Sequence, residues 1–202
     1  MEQRSPEWFA HRAGKLTASS FDDAETKTKN GAPSASRKNL IARLVCERLT
    51  GQCEESYTNA AMQWGVDKEP EARSLYELMR DVEVAELGFA DHPTIKNTGA
   101  SPDGLVGDDG LIEIKCPNTA THIEYLLSKE APAKYISQMQ WQMACTGRKW
   151  CDFVSYDPRL PANLQLFVVR VNRDDARIAE MESVANEVLA EVDSVVTKLR
   201  EM

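Results

Sequence analysis

The sequence lacks any long hydrophobic run and any Cys-x-x-Cys pair. No apolar segment approaches the length needed to span a bilayer, and the N-terminal Met1-Glu-Gln-Arg-Ser5 has no apolar signal-peptide core. We therefore expect no membrane segment and a cytoplasmic protein. The five cysteines form an odd set without the spacing of a zinc site, which predicts reduced thiols. They are Cys46, Cys53, Cys116, Cys145 and Cys151.

Positive charge is also scarce. The chain has 24 Lys and Arg against 32 Asp and Glu, a net charge of −8. This balance argues against non-specific adhesion to nucleic acid. The charge is uneven, however: residues 1–51 hold nine basic against six acidic residues (+3), and residues 172–202 hold four against eight (−4). A nucleic-acid-binding protein with this sequence would use a local basic surface in its N-terminal third.

The patterns along the chain predict one α/β domain over residues 1–202, because 202 residues suffice for one substantial core. Helical signals cover Pro6–Arg12, a short stretch after Thr17, Arg37–Thr50, Asp67–Arg80, Thr119–Lys129, Ala133–Thr146 and about 174–200. Strand-like alternation covers Val82–Gly88, Thr94–Gly99, Leu111–Lys115, Cys151–Tyr156 and Leu164–Val171. Residues 26–36 read as a basic loop. We predict a central mixed sheet flanked by helices, with the last helix packing on the core or at a subunit contact.

The segment Ser101–Lys115 combines the residues of a metal-dependent phosphodiesterase. Asp103 is predicted on a turn, and Glu113 and Lys115 share one face of a short strand because side chains alternate across it. Two carboxylates beside a lysine can hold Mg²⁺ against a phosphodiester, with the Ile114 carbonyl as a backbone ligand. The alternative is a solvated hairpin in which Glu113 and Lys115 are ordinary surface residues.

Several motifs, in the same order along the chain, resemble the phage lambda exonuclease family, the YqaJ-like viral recombinases of the PD-(D/E)xK nuclease superfamily. The central match is Ser101-Pro-Asp-Gly followed by Leu111-Ile-Glu-Ile-Lys-Cys-Pro117. Further matches are Trp8–Ser19, Ala61–Glu69, Tyr135–Gln140 and Tyr156–Arg159. The resemblance runs from about residue 5 to residue 171 and implies a restriction-endonuclease-like core.

The resemblance assigns a role to each matching position. Asp103, Glu113 and the Ile114 carbonyl become metal ligands, Lys115 the catalytic lysine, and Glu69 a carboxylate that assists metal binding from a helix. The alternative for Glu69 is a first-turn residue favoured by the helix dipole. The implied cofactor is Mg²⁺, with Mn²⁺ as a substitute.

The resemblance also implies contacts with DNA. The positions that match its 5′-phosphate site are Arg12, Thr17, Ser19, Ser101 and Gln138. Guanidinium, hydroxyl and amide groups all offer donors to a dianion. Helix capping is the alternative for Thr17 and Ser19. Met62 matches an apolar wedge that separates the duplex, and Lys29 matches a loop residue that reaches the DNA; core packing and a solvated lysine are their alternatives.

The function implied is a Mg²⁺-dependent 5′-to-3′ exonuclease on linear duplex DNA. It would release 5′-mononucleotides and leave a 3′ single-stranded overhang for a single-strand annealing recombinase. A homotrimeric ring around DNA and a bacterial cytoplasm, in a phage or prophage context, are further expectations. Two alternatives remain: a structure-specific or restriction-like endonuclease with the same metal site, and a catalytically inactive DNA-end-binding module.

Overall fold

The computed structural model describes residues 1–53 and 60–202. Its α-helices are α1 (Pro6–Arg12), α2 (Phe21–Glu25), α3 (Ala35–Thr50), α4 (Ala60–Arg80), α5 (Thr119–Ser128), α6 (Ala133–Thr146) and α7 (Asp175–Arg200). Its strands are β1 (Leu16–Thr17), β2 (Val84–Ala85), β3 (Ala90–Asp91), β4 (Thr98–Ala100), β5 (Gly104–Val106), β6 (Gly110–Lys115), β7 (Trp150–Tyr156) and β8 (Leu166–Asn172). Short 3₁₀ turns lie at Ala18–Ser20 and Ala162–Leu164.

The helix ends follow the capping chemistry of the sequence. The Ser5 hydroxyl accepts a hydrogen bond from the Trp8 amide at 3.2 Å and begins α1. The Ser34 hydroxyl accepts one from the Arg37 amide at 3.1 Å at the start of α3. That helix ends at Gly51, whose φ of +70° lies in the left-handed region that glycine adopts without strain. These caps place α1 and α3 close to their predicted positions, and α1 carries Arg12.

A five-stranded mixed sheet in the order β2-β5-β6-β7-β8 forms the centre of the fold. Strands β6 and β7 are parallel, with Glu113 opposite Phe153, and the other neighbours in this sheet are antiparallel. Ile112 and Ile114 pack with Tyr76 of α4 on one face. Leu111 packs with Met139 of α6 on the other face. Glu113 therefore points toward α6, on the face opposite to Ile112 and Ile114, and this separation of the two faces agrees with the alternation.

A second, three-stranded sheet in the order β1-β4-β3 corrects the expectation of one sheet. Leu16 and Thr17 pair in parallel with Thr98 and Gly99. Two-residue strands such as β1 and β3 are too short to show a period of two, so alternation could not predict them. The small sheet matters for function because it ends directly before Ser101 and places Thr17 beside it.

Several boundaries also differ from the sequence predictions. Helix α4 begins at Ala60 rather than Asp67 and continues through Pro70. The strand predicted over Val82–Gly88 is reduced to β2. Residues 104–106 form a strand that the Gly and Asp content of the segment concealed. The fold class, a mixed α/β domain with sheet flanked by helices, is confirmed.

Helix α7 buries one apolar face along its length. Ile178, Met181, Val188 and Val192 are each at most 3% exposed and lie in the same core cluster as Leu44 of α3. The helix packs on the core through this face, while a subunit contact stays a prediction. In the part of the chain that the structure describes, none of the helices has the length and apolar character needed to cross a membrane.

Candidate active site

Strand β6 delivers Glu113 and Lys115 to the face covered by α6. The Glu113 side chain is only 1% exposed, and the Lys115 ammonium donates a hydrogen bond to its Oε1. Two amides from α6 complete its shell: Gln138 Nε2 donates to Oε1 at 2.6 Å and Gln142 Nε2 donates to Oε2 at 2.6 Å. The alternative of a solvated hairpin is therefore wrong for Glu113, because a buried carboxylate is retained only where donors compensate its lost hydration.

Asp103 lies between β4 and β5, where the chain turns beside β6. Its Oδ2 accepts a hydrogen bond from the Ile114 amide at 2.7 Å, which fixes the carboxylate against the strand. Burial, followed by the charge of Glu113, raises the pKa of Asp103 well above its ordinary value. A divalent cation at Asp103 would offset this effect, because its positive charge favours the ionised carboxylate.

The negative charges of the site favour the charged form of Lys115, whereas the charge of Glu113 disfavours the charged form of Asp103. Burial acts to lower the pKa of its ammonium, but the Glu113 and Asp103 carboxylates outweigh burial and raise the pKa above its ordinary value. The ammonium also lies 5.0 Å from the centre of the Tyr135 ring. The lysine is therefore held as a cation at the carboxylate pair.

Glu69 reaches the same region from α4 but is engaged by two arginines. Its Oε2 accepts from Arg4 Nη2 at 2.8 Å, and its Oε1 accepts from Arg73 Nη2 at 2.9 Å. Within residues 1–53 and 60–202, no three His, Cys, Asp or Glu side chains converge as a ready metal-binding group. The Asp103–Glu113 pair nevertheless fits Mg²⁺, which binds through one or two carboxylates and keeps several waters. The Ile114 carbonyl would be the backbone ligand beside them.

All five residues predicted to hold a 5′-phosphate line one cavity of about 140 Å³, which we call the anion pocket. The pocket is formed by Arg12, Thr17, Ser19, Ser101 and Gln138, together with Gln3, Arg4, Trp8 and Ala18. The structure thus brings together donors from α1, the small sheet and α6. Their convergence supports an anion-binding role for the set.

Packing and hydrogen bonds fix the walls of the anion pocket. The Arg12 guanidinium lies 4.1 Å above the Trp8 ring, and burial lowers its pKa from the ordinary value. Trp8 Nε1 donates to Ser101 Oγ at 2.9 Å. The Thr17 and Ser19 hydroxyls lie 3.2 Å apart, and Thr17 makes no side-chain capping bond to the following turn. Helix capping therefore does not account for Thr17.

Met62 and Lys29 do not line the anion pocket, nor the second cavity beside it that is described below. Met62 is 47% exposed near the beginning of α4, which removes core packing as its explanation. Lys29 is exposed in the loop that precedes α3. Both positions are accessible to a large substrate, and their DNA contacts stay predictions.

A second cavity of about 180 Å³, which we call the carboxylate cleft, adjoins the anion pocket. Asp103, Glu69 and Arg73 line it, and Gln3 and Arg4 line both cavities. Sequence reasoning missed Gln3, Arg4 and Gln142. Only Gln142 carried a signal, since it lies one helical turn after Gln138 and therefore shares its face of α6.

A mixed sheet that carries the buried Glu113 beside Asp103 and Lys115, next to a pocket of anion donors, defines a protein of the PD-(D/E)xK nuclease class. Residues 7–149 match the model of the YqaJ-like viral recombinase domain, and the chain belongs to this family. A comparison with curated proteins gives no match.

Solved structures extend the similarity over almost the whole chain. An alkaline exonuclease from Laribacter hongkongensis, LHK-Exo, is 54% identical with a TM-score of 0.91, over 98% of this chain and 97% of that one. LHK-Exo in complex with dAMP matches over the same shares with a TM-score of 0.92. A phage-related exonuclease from Haemophilus somnus shares the fold at 18% identity, with a TM-score of 0.74 over 92% and 96% of the two chains.

Proposed function

We propose that this protein is a Mg²⁺-dependent exonuclease that digests linear duplex DNA from its 5′ ends, with preference for a 5′-phosphate. It would release 5′-mononucleotides and leave a 3′ single-stranded overhang. Hydrolysis breaks the bond between phosphorus and the 3′-oxygen of the terminal nucleotide. The shortened strand then begins with a new 5′-phosphate, which suits repeated binding in the same pocket.

One observation carries this proposal: Gln138 lines the anion pocket while its amide donates to Glu113 at 2.6 Å. The pocket and the carboxylate pair are therefore immediate neighbours joined by one side chain. A terminal phosphate held in the pocket would place the next phosphodiester along the strand near Asp103 and Glu113. This arrangement favours removal of one nucleotide at a time over cleavage within a duplex.

The family supports the same reaction. LHK-Exo, 54% identical over nearly the full length, is an alkaline exonuclease, and it has been crystallised in complex with dAMP. A 5′-deoxynucleotide is the product expected from digestion at a 5′ end. We extend this activity to the present chain because the carboxylates, the lysine and the anion pocket lie together in it.

Each residue of the site has a role in the proposed reaction. Asp103 and Glu113 would hold Mg²⁺ with the Ile114 carbonyl, Glu69 would assist, and Mn²⁺ would substitute. The cation supplies Lewis-acid stabilisation of charge on the phosphate. Gln138 and Gln142 keep the Glu113 carboxylate in one orientation.

Lys115 and the anion pocket complete the set. The Lys115 N–H groups orient the attacking water and offset the negative charge that develops on the phosphate oxygens. The guanidinium of Arg12 and the hydroxyls of Thr17, Ser19 and Ser101 hold the terminal phosphate. Met62 and Lys29 would contact the duplex at greater distance from the reaction.

Retention on DNA requires more than charge, since the net charge of the chain is −8. We propose a homotrimeric ring that encloses the duplex, for which the exposed Leu78 and Leu127, 79% and 77% accessible, are candidate contact residues. A single-strand annealing recombinase would be the partner that receives the 3′ overhang. The cytoplasm of a bacterial host is the corresponding location.

The decisive experiment compares linear duplexes that carry 5′-phosphate or 5′-hydroxyl ends with a covalently closed circle, in Mg²⁺ and in EDTA. We expect mononucleotides from the phosphorylated linear DNA in Mg²⁺ only, with the circle intact. Blocking the 5′ or the 3′ terminal linkages with phosphorothioates tests polarity. Linearisation of the circle would instead favour the endonuclease, and end binding without any product would favour the inactive binding module.

A further inference from the structure

Arg4 occupies the boundary between the two cavities of the active site. It lines both the anion pocket and the carboxylate cleft, and its guanidinium pairs with Glu69 at 2.8 Å. Its side chain remains 48% exposed in spite of this ion pair. A cation that faces both cavities and is still accessible is available to a ligand in either of them.

The backbone at Arg4 is held in an uncommon conformation. Its φ of +66° lies in the left-handed region, which costs energy for a residue with a Cβ. Such outliers persist only where the surroundings impose them, and they concentrate at functional sites. Here the neighbouring Gln3 supplies the constraint, because its Nε2 donates to the Leu87 and Pro102 carbonyls, each at 2.8 Å.

The same contacts tie Arg4 to the reactive groups. Pro102 directly precedes Asp103, so the Gln3 bond holds the N-terminal segment against the turn that carries the carboxylate. On the other side, Ser5 caps α1, the helix that ends at Arg12. Arg4 is thus linked to the Asp103 turn through the hydrogen bond of Gln3, and to Arg12 through the short stretch of chain that forms α1.

Glu69 does not depend on Arg4 alone. Arg73 donates to the other carboxylate oxygen at 2.9 Å, and the same arginine also pairs with Glu86. If Arg4 leaves, Glu69 therefore keeps a cationic partner. The Arg4–Glu69 pair is accessible on the Arg4 side, and such pairs contribute little to stability. Little free energy is therefore lost when Arg4 releases the Glu69 carboxylate and binds a phosphate instead.

We propose that Arg4 is a phosphate-binding residue whose guanidinium exchanges Glu69 for the 5′-terminal phosphate of the DNA strand. The inference rests on the proposed function and deepens it, since it names a group that selects the end. A terminal phosphate monoester carries a charge of about −1.5 to −2 at neutral pH, against −1 for an internal diester. Arg12 and Arg4 together would match the monoester, whereas one guanidinium suffices for a diester.

The test measures binding and therefore does not depend on turnover. Fluorescence anisotropy in EDTA would give the affinity of the full-length protein for matched duplexes with 5′-phosphate or 5′-hydroxyl ends. For the wild type we expect at least about tenfold tighter binding of the phosphorylated end, and for Arg4→Gln about threefold or less. Arg4→Lys should lie between them, because it keeps the charge without the bidentate fork.

Arg148→Gln is the matched control, since Arg148 is also an accessible arginine but contacts the Gly107 carbonyl and lines neither cavity. It should retain the wild-type ratio, and thermal unfolding should show all variants folded. If Arg4→Gln kept the wild-type ratio of the two affinities, the inference would be overturned. This includes the case in which binding of both ends weakens by the same factor, which would indicate only a role in holding Glu69. If the wild type itself bound both ends equally, the 5′-phosphate preference of the proposed function would fall together with this inference.

Discussion

Gln138 Nε2 donates a hydrogen bond to Glu113 Oε1 at 2.6 Å, and the same side chain forms part of the wall of the anion pocket. A movement of Gln138 caused by a ligand in the pocket would therefore alter its hydrogen bond to Glu113, and a change at Glu113 would alter the wall of the pocket. One turn later on α6, Gln142 donates to the other oxygen of Glu113 from the buried side. The two glutamines make the same kind of bond, but only Gln138 faces the pocket.

This difference predicts separate consequences for two similar substitutions. Gln138→Leu should reduce the preference for 5′-phosphorylated ends by about tenfold, because it removes a donor from the pocket as well as from Glu113. Gln142→Leu should lower the free energy of unfolding by about 1–3 kcal/mol, because Glu113 Oε2 then lacks its buried donor. End-binding measurements and denaturant unfolding on both variants check these outcomes.

Gln140→Leu provides the control on the same helix, since Gln140 contacts the Asn172 carbonyl and the Asp174 amide instead. It should leave end preference unchanged. Equal loss of 5′-phosphate preference in the Gln138 and Gln142 variants would contradict the separation, because it would trace the preference to Glu113 alone.

Lys115 is predicted to act in turnover and not in end binding. Lys115→Ala should lower the rate of nucleotide release by about 10²–10³-fold, the usual cost of removing a preorganised group that stabilises transition-state charge. Binding of a 5′-phosphorylated duplex in EDTA should change by less than about threefold, since the anion pocket remains intact. Single-turnover digestion and anisotropy measure the two quantities.

The corresponding control is Lys149→Ala, which removes an exposed lysine paired with Asp109 at 3.0 Å, away from both cavities. Its digestion rate should equal that of the wild type. Undiminished release by Lys115→Ala would exclude this lysine from the reaction and leave the proposed mechanism without its charge-stabilising group.

Much of this site could be predicted from sequence because its signals are local. Strand β6 is long enough to reveal that Glu113 and Lys115 lie on the same side of the sheet. The donors of the anion pocket lie in the sequence motifs that carry the resemblance to the family. Gln142 could have been added from its helical spacing. Each of these inferences needs only neighbouring residues or a known motif.

The remaining features depend on contacts between distant parts of the chain. Arg4 and Glu69 are 65 positions apart, and their pairing requires a left-handed backbone that an arginine does not signal. The small sheet joins Leu16 to Thr98 through strands too short to show a pattern. Tertiary structure, and not local propensity, determines both.

The raised pKa of Asp103 predicts a pH-dependent response to metal. Because the folded-state pKa lies above the unfolded value of about 3.9, the folded protein binds more protons between these values. Its free energy of unfolding without metal should therefore fall as pH rises through that window. Mg²⁺ should restore stability at higher pH, by about 2.7 kcal/mol at a concentration 100 times its Kd. Thermal unfolding with and without Mg²⁺ over pH 4–9 measures this.

Asp103→Asn tests the assignment because an amide oxygen can still accept the Ile114 hydrogen bond without carrying charge. This variant should be less sensitive to pH without metal and should lose most of its stabilisation by Mg²⁺. The matched variant Asp109→Asn, at an exposed carboxylate paired with Lys149, should behave as the wild type. A full Mg²⁺ response in Asp103→Asn would remove Asp103 from the ligand set.

The lowered pKa of the buried His92 predicts that the protein loses stability as pH falls. Its ring stacks on Trp141 at 4.9 Å, its Nδ1 accepts from the Ile95 amide at 3.1 Å, and Nε2 lies 3.4 Å from Glu182. Burial lowers its pKa, with Glu182 opposing this and Arg173 adding to it. Since the unfolded chain then binds the proton more readily, the free energy of unfolding should fall as pH drops below about 6.5. Denaturant unfolding at pH 5–8 measures this dependence. It should be weaker in His92→Gln and steeper in Glu182→Gln. An unchanged slope in both variants would assign the acid sensitivity to other groups.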